Sequence, residues 1–192
     1  MKDISFLVAI VCIVPILVLV ALVETSLPCQ PSPIASFDPE GVEGTWYGTN
    51  IYWPNLTMEF WQDYANTFTL HPNGNMTWQF DLRWSFTNVS ECTGWSRELV
   101  PDPNFNGKYD WFLNGSHYDS LYFAFTDYND LTFTYQMAPE SDWVRMLTVF
   151  SRTPWNTKTI LTKYVLIRYF CVTAEDVAAH LWNVTHENPC IA

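Results

Sequence analysis

The chain has 192 residues, enough for one domain with a sizeable core, and a net charge of −11. Phosphate binding rests on Lys and Arg, so this balance excludes nucleic acid and anionic membrane surfaces as partners. Ten Trp, ten Tyr and 13 Phe favour strands and supply rings enough to line an apolar cavity.

The N-terminus reads as a separate object. Lys2 precedes an almost unbroken apolar run from Ile4 to Val23, the pattern of a secretory leader. The run exceeds the roughly 7–15 apolar residues of a usual signal peptide, and about 20 suffice to span a bilayer. Pro15 in its middle suits a signal peptide better than a straight anchor, and Ala21, Thr25 and Ser26 offer cleavage positions. A signal peptide over residues 1–26 is expected, with a retained anchor as the alternative and the only route to a membrane. A secreted, extracellular chain follows. With Cys12 inside the leader, Cys29, Cys92, Cys171 and Cys190 remain, an even number in an oxidising compartment. Four cysteines allow three pairings. Asn-x-Ser/Thr sequons at Asn55, Asn75, Asn88, Asn114 and Asn183 predict glycans. A Pro-rich connector over 27–40 leads into one domain over 41–192.

Short strands with turn residues between them then follow in regular order. The first is predicted over Trp46–Trp53 and the second over Tyr64–Leu70. Asn73-Gly74 marks a hairpin, because both central residues of such a turn take positive φ. In the third, Met76–Phe86, the apolar Met76, Trp78, Phe80, Leu82, Trp84 and Phe86 alternate with polar residues. That parity sends Asp81 and Arg83 into solvent. Further strands are predicted over Thr93–Val100, Lys108–Leu113, Tyr118–Phe125, Leu131–Met137 and Trp143–Ser151. Eight antiparallel strands on short turns fit a closed up-and-down β-barrel, an all-β fold without open edges and with room for one small ligand. Asn156 is then a candidate N-cap for a helix over Thr157–Phe170, packed outside the barrel, and Thr173 opens a second helical turn.

Gly44-Thr45-Trp46-Tyr47, Thr126-Asp127-Tyr128 and Ser151-Arg152-Thr153-Pro154, in this order, resemble the three signature regions of the lipocalins, nearest the apolipoprotein D-like branch. The resemblance covers about Phe37 to Cys190. It implies that Trp46 plugs the closed end of the barrel beneath Arg152, and that Thr126, Asp127 and Tyr128 form the turn between the sixth and seventh strands. It also implies a Cys92–Cys190 disulfide, which leaves Cys29–Cys171. The function implied is a secreted carrier or scavenger of one small hydrophobic molecule, such as a lipid, retinoid, sterol or pigment, and it admits a cell-surface receptor as a second partner.

Side chains of one parity on each strand face inward. The expected ligand-contacting residues are Phe68, Trp78, Phe80, Trp84, Tyr109, Trp111, Tyr122, Phe133, Tyr135 and Met146. A second reading keeps the barrel but fills it with a cationic amine held by aromatic faces and carboxylates, with Glu59, Asp63, Asp110 and Asp119 as the groups to locate. An isomerase of the same fold is a minor third reading. It would need a free thiol, and four paired cysteines leave none. His71, His117, His180 and His186 show no metal spacing and are expected at the surface, so no metal, cofactor or enzymatic activity is expected.

Overall fold

The computed structural model describes residues 33–55, 61–84, 91–139, 144–155 and 158–190. It contains the strands β1 (Gly44–Tyr52), β2 (Trp61–Leu70), β3 (Met76–Trp84), β4 (Thr93–Pro101), β5 (Lys108–Leu113), β6 (Ser116–Thr126), β7 (Leu131–Met137) and β8 (Met146–Ser151). Two helices follow, α1 (Thr159–Tyr169) and α2 (Ala174–His180), then a short strand β9 (Leu181–Asn183). Each of β1 to β7 pairs antiparallel with the next strand. β1 closes the ring, meeting β2 through Gly44 opposite Phe68 and β8 through Tyr52 opposite Leu147. The result is a closed eight-stranded up-and-down barrel, as the sequence predicts. A helix lies outside it. Among the described residues no helix is long and apolar enough to cross a membrane.

Strand alternation divides the apolar side chains into two sets. The inward set is one cluster that includes Trp46, Tyr64, Phe68, Met76, Trp78, Phe80, Leu82, Leu99, Tyr109, Trp111, Phe123 and Phe150. The outward set lies beneath the helices. Tyr52, Leu131, Phe133, Tyr135, Leu147 and Val149 pack there against Leu166, Phe170 and Val177. β7 is therefore buried at all seven positions, on one side by the barrel interior and on the other by α1.

Several boundaries shift. β2 starts at Trp61, three residues before its expected start, and β6 starts at Ser116. β8 begins at Met146, and Trp143 lies outside the described residues, as do Ser85 and Phe86 beyond β3. Asn156 and Thr157 lie outside them too. α1 begins at Thr159, and the side chain of its N-cap, Lys158, makes no capping bond. The buried Asn50 of β1 supplies that function instead. Its Oδ1 accepts from the Lys158 backbone N–H (3.2 Å), and its Nδ2 donates to Thr159 Oγ1 (3.2 Å) and Asn183 Oδ1 (2.6 Å). The helix end is thus satisfied from the barrel wall, where a sequence reading looks for a local cap. At α2 the expected cap is present, with Thr173 Oγ1 accepting from the Asp176 N–H (3.0 Å).

Residues 181–190 run back along the barrel. β9 pairs with Asn50–Tyr52, the half of β1 that β2 leaves uncovered. Cys190 then bonds to Cys92, the pairing the lipocalin resemblance implies. Cys171 is also disulfide-bonded, and Cys29, its expected partner, lies outside the described residues.

Candidate functional site: a sealed barrel with an aromatic pocket

One end of the barrel is sealed. Trp46 is fully buried, and its indole N–H donates to the Val42 carbonyl (2.8 Å). The Arg152 guanidinium lies 3.7 Å from the Trp46 ring centroid. Its Nη1 donates to the Thr45 carbonyl (3.0 Å) and its Nη2 to those of Glu43 (3.0 Å) and Gly41 (3.2 Å). Burial lowers the Arg152 pKa, but a guanidinium stays charged, so a cation–π contact of about 0.5–2 kcal/mol is retained. Gly44 takes φ +94°, and a Cβ there would meet Arg152 Nη1 at 3.3 Å. Both facts favour glycine at that position.

The turn between β6 and β7 fastens the same end. Asp127 Oδ1 accepts from the backbone N–H groups of Asn129 (3.1 Å), Asp130 (2.9 Å) and Leu131 (2.8 Å). Burial pushes the Asp127 carboxyl up, and those three donors outweigh it, so the pKa falls below its ordinary value. Thr126 Oγ1 accepts from the Tyr128 N–H, and the Tyr128 hydroxyl accepts from the Asp38 N–H (both 2.9 Å). The chain before β1 is part of the seal. Phe37 is buried and stacks on Phe123 at 4.5 Å, and Ile34 N–H donates to the Phe123 carbonyl (3.1 Å).

The opposite end holds a pocket of about 220 Å³. Its apolar wall is Trp53, Trp61, Tyr64, Trp78, Phe80 and Met146, and its polar groups are Arg97, Asp119, Gln136, Arg145 and Tyr118. Gly48 backs the wall, since a methyl group there would collide with the Tyr64 ring. Trp78 is held in place by its indole N–H, which donates to Asn66 Oδ1 (2.6 Å). Asp119 is buried and accepts from Arg145 Nη1 (3.0 Å) and from the Ser120 N–H (3.0 Å). Burial pushes its carboxyl pKa up, against the pull of Arg145. Arg97 lies over three rings, at 4.1 Å from the centroid of Trp111, 4.8 Å from Phe80 and 5.3 Å from Trp78. Burial lowers its pKa, while Tyr64 and Asp119 raise it.

Of the ten expected ligand-contacting residues, Trp78, Phe80 and Met146 line this pocket. Phe68, Tyr109 and Trp111 belong to the inner cluster behind it, and Trp84 packs at its edge. Tyr122, Phe133 and Tyr135 do not face the interior. Phe133 and Tyr135 sit in the outer cluster, and Tyr122 packs against it, stacked on Tyr135 at 4.6 Å. The parity of β7 places Gln136, Thr134 and Thr132 inside instead, because α1 supplies an apolar cover for the outward rings. Sequence reasoning missed Tyr64, which shares parity with Phe68, and missed Arg97, which shares parity with Leu99.

No protein-family model matches the chain, and no curated protein matches it.

A second cavity of about 420 Å³ lies outside the barrel, between α1 and the outer face of β6 and β7. Its lining includes Phe125, Leu131, Phe133, Leu161, Tyr164 and Phe170, with no charged group among the lining residues. It is the larger space, but the groups able to orient a ligand converge inside the barrel. Asp63 and Asp110 do not. Asp63 pairs with Arg83 under the C-terminal tail, and Asp110 with Lys108 on the outer face of β5. Glu59 lies outside the described residues. Arg83 points outward as expected yet is covered rather than solvated, with a side chain 15% exposed. His186, expected at the surface, is buried, and its Nε2 lies 2.8 Å from the Gly48 carbonyl. Among the described residues no three His, Cys, Asp or Glu side chains converge as metal ligands would. Of the sequons, Asn55, Asn114 and Asn183 are exposed, Asn75 is partly buried with its Nδ2 donating to Glu98 (2.6 Å), and Asn88 lies outside the described residues.

Proposed function

We propose that this protein is a secreted lipocalin that carries one small molecule with an apolar body inside its barrel. The observation that carries the reading is the ring-lined pocket, placed at the end opposite the Trp46–Arg152 seal. Burying apolar area against those rings supplies the affinity, at about 25 cal/mol per Å² before ordering costs. At about 220 Å³ the space is smaller than the roughly 300–1,000 Å³ of a drug-sized site, so the cargo is smaller than a sterol or retinoid. The amine alternative finds little support. Of its four carboxylates, Asp119 alone lines the pocket among the described residues, and Arg145 already neutralises it. The Cys92–Cys190 bond and three exposed sequons fit an extracellular site of action.

Intrinsic Trp fluorescence, titrated with a panel of short acyl and aromatic compounds, tests the reading. Quenching by at least one compound is expected. Met146→Trp, which fills the pocket, should weaken that binding by about tenfold or more while thermal unfolding stays near wild type. No quenching across the panel, or undiminished binding by the filled variant, contradicts it.

A further inference from the structure

The interior of this acidic chain is electropositive. The whole chain carries a net charge of −11. Inside, the pocket is lined by two arginines, Arg97 and Arg145, and one carboxylate, Asp119. Arg145 takes Asp119 at 3.0 Å, which leaves Arg97. No carboxylate or carbonyl among the described residues accepts a hydrogen bond from Arg97, and the faces of Trp111, Phe80 and Trp78 lie against it. A guanidinium carries five N–H donors in a planar fork suited to two parallel bonds with a carboxylate. Ring faces below it hold the plane but accept none of those in-plane protons. A second donor nearby has no acceptor either. The Trp111 indole N–H is buried without a partner, in a residue whose ring sits 4.1 Å from Arg97. Such an unmatched buried donor is destabilising unless something accepts from it.

Resting on the carrier reading above, we infer that the cargo is an anion: a small monocarboxylate with an aromatic or short acyl body, its head group paired with Arg97 and its body against Trp78, Phe80 and Met146. The single charge follows from the surplus of one cation over carboxylates in the pocket. The apolar body follows from the six-residue wall of rings and Met146.

A matched trio separates this inference from the reading beneath it. 4-Phenylbutyrate, 4-phenylbutanamide and 4-phenylbutylamine share one body and differ in head-group charge. Calorimetry on the full-length secreted protein should find the carboxylate at least about tenfold tighter than the amide, with the amine weakest. Arg97→Gln should bring the carboxylate down to the affinity of the amide and leave the amide within about twofold of wild type, while Arg97→Lys keeps part of the preference. Equal binding of acid and amide by wild type overturns the inference and leaves the carrier reading standing. So does an acid preference that survives in Arg97→Gln, or failure of the whole trio while a neutral compound from the fluorescence panel binds. Failure of the trio and the panel together overturns both.

Discussion

Replacing Trp46 with Ala should cost about 3–5 kcal/mol of folding stability, the range for removing a large buried ring. Three losses combine. The indole is fully buried, so a cavity opens at the sealed end. The Val42 carbonyl loses its donor, and Arg152 loses the ring beneath its guanidinium. Arg152 keeps its bonds to the carbonyls of Gly41, Glu43 and Thr45, so the chain before β1 stays near its place and the gap cannot simply collapse. Urea denaturation monitored by circular dichroism gives the number. Ile160→Ala, on the open face of α1 at 87% exposure, serves as the control and should change stability by no more than about 0.5 kcal/mol. A Trp46→Ala loss no larger than the control contradicts the sealed end.

Asp63→Ala should cost a similar amount, about 3–5 kcal/mol, for a different reason. Asp63 is 2% exposed and sits at a bulge in β2 with φ +54°. Its carboxylate accepts from Arg83 Nε (2.9 Å) and from the backbone N–H groups of Glu187 (2.7 Å) and Asn188 (2.9 Å). Its own N–H donates to the Thr185 carbonyl (2.8 Å), and its carbonyl accepts from the Cys190 N–H (3.0 Å). One residue thus fastens the tail just before the Cys92–Cys190 bond. Alanine leaves two part-buried donors unmatched and strands the Arg83 charge, and it adopts positive φ less readily than Asp. Removing both charges should recover part of the loss, because the uncompensated cation disappears with its partner. Asp63→Ala combined with Arg83→Met is therefore expected to be more stable than Asp63→Ala alone. A single variant that loses less than about 1 kcal/mol would show that the tail holds without this anchor.

The barrel was legible in the sequence wherever a local requirement writes itself into residue type. The alternation of β3 from Met76 to Trp84 gives the strand and its inner face directly, and the inner cluster contains Met76, Trp78, Phe80 and Leu82. Gly44 and Arg152 are readable because a left-handed residue and a guanidinium over an indole admit few substitutes. β7 was harder. Leu131, Phe133, Tyr135 and Met137 alternate with Thr132, Thr134 and Gln136, which establishes parity but not direction. Parity alone leaves the apolar face pointing inward by default, and the cover that turns it outward comes from α1, thirty-odd positions further along the chain. Arg97 carries no local sign of its role, since a charge between Ser96 and Glu98 reads as solvated. Its place over three rings depends on β3 and β5, which only the assembled barrel brings beside it. Asp63 and His186 carry no local signal at all. The backbone donors that Asp63 holds in the tail, and the Gly48 carbonyl beside His186, lie more than 120 positions away.

The central claim is that a small ligand enters the ring-lined end of the barrel and leaves the sealed end unchanged. Indole ¹⁵N–¹H spectra of the protein titrated with 4-phenylbutyrate test it most directly, because the Trp residues report from known places. Trp53, Trp61 and Trp78 line the pocket, Trp46 sits in the seal, and Trp155 is exposed on the outside. The account predicts saturable shifts at Trp53, Trp61 and Trp78 with Trp46 and Trp155 unmoved. Shifts confined to Trp155, or pocket indoles that stay still while ligand binds, would contradict it.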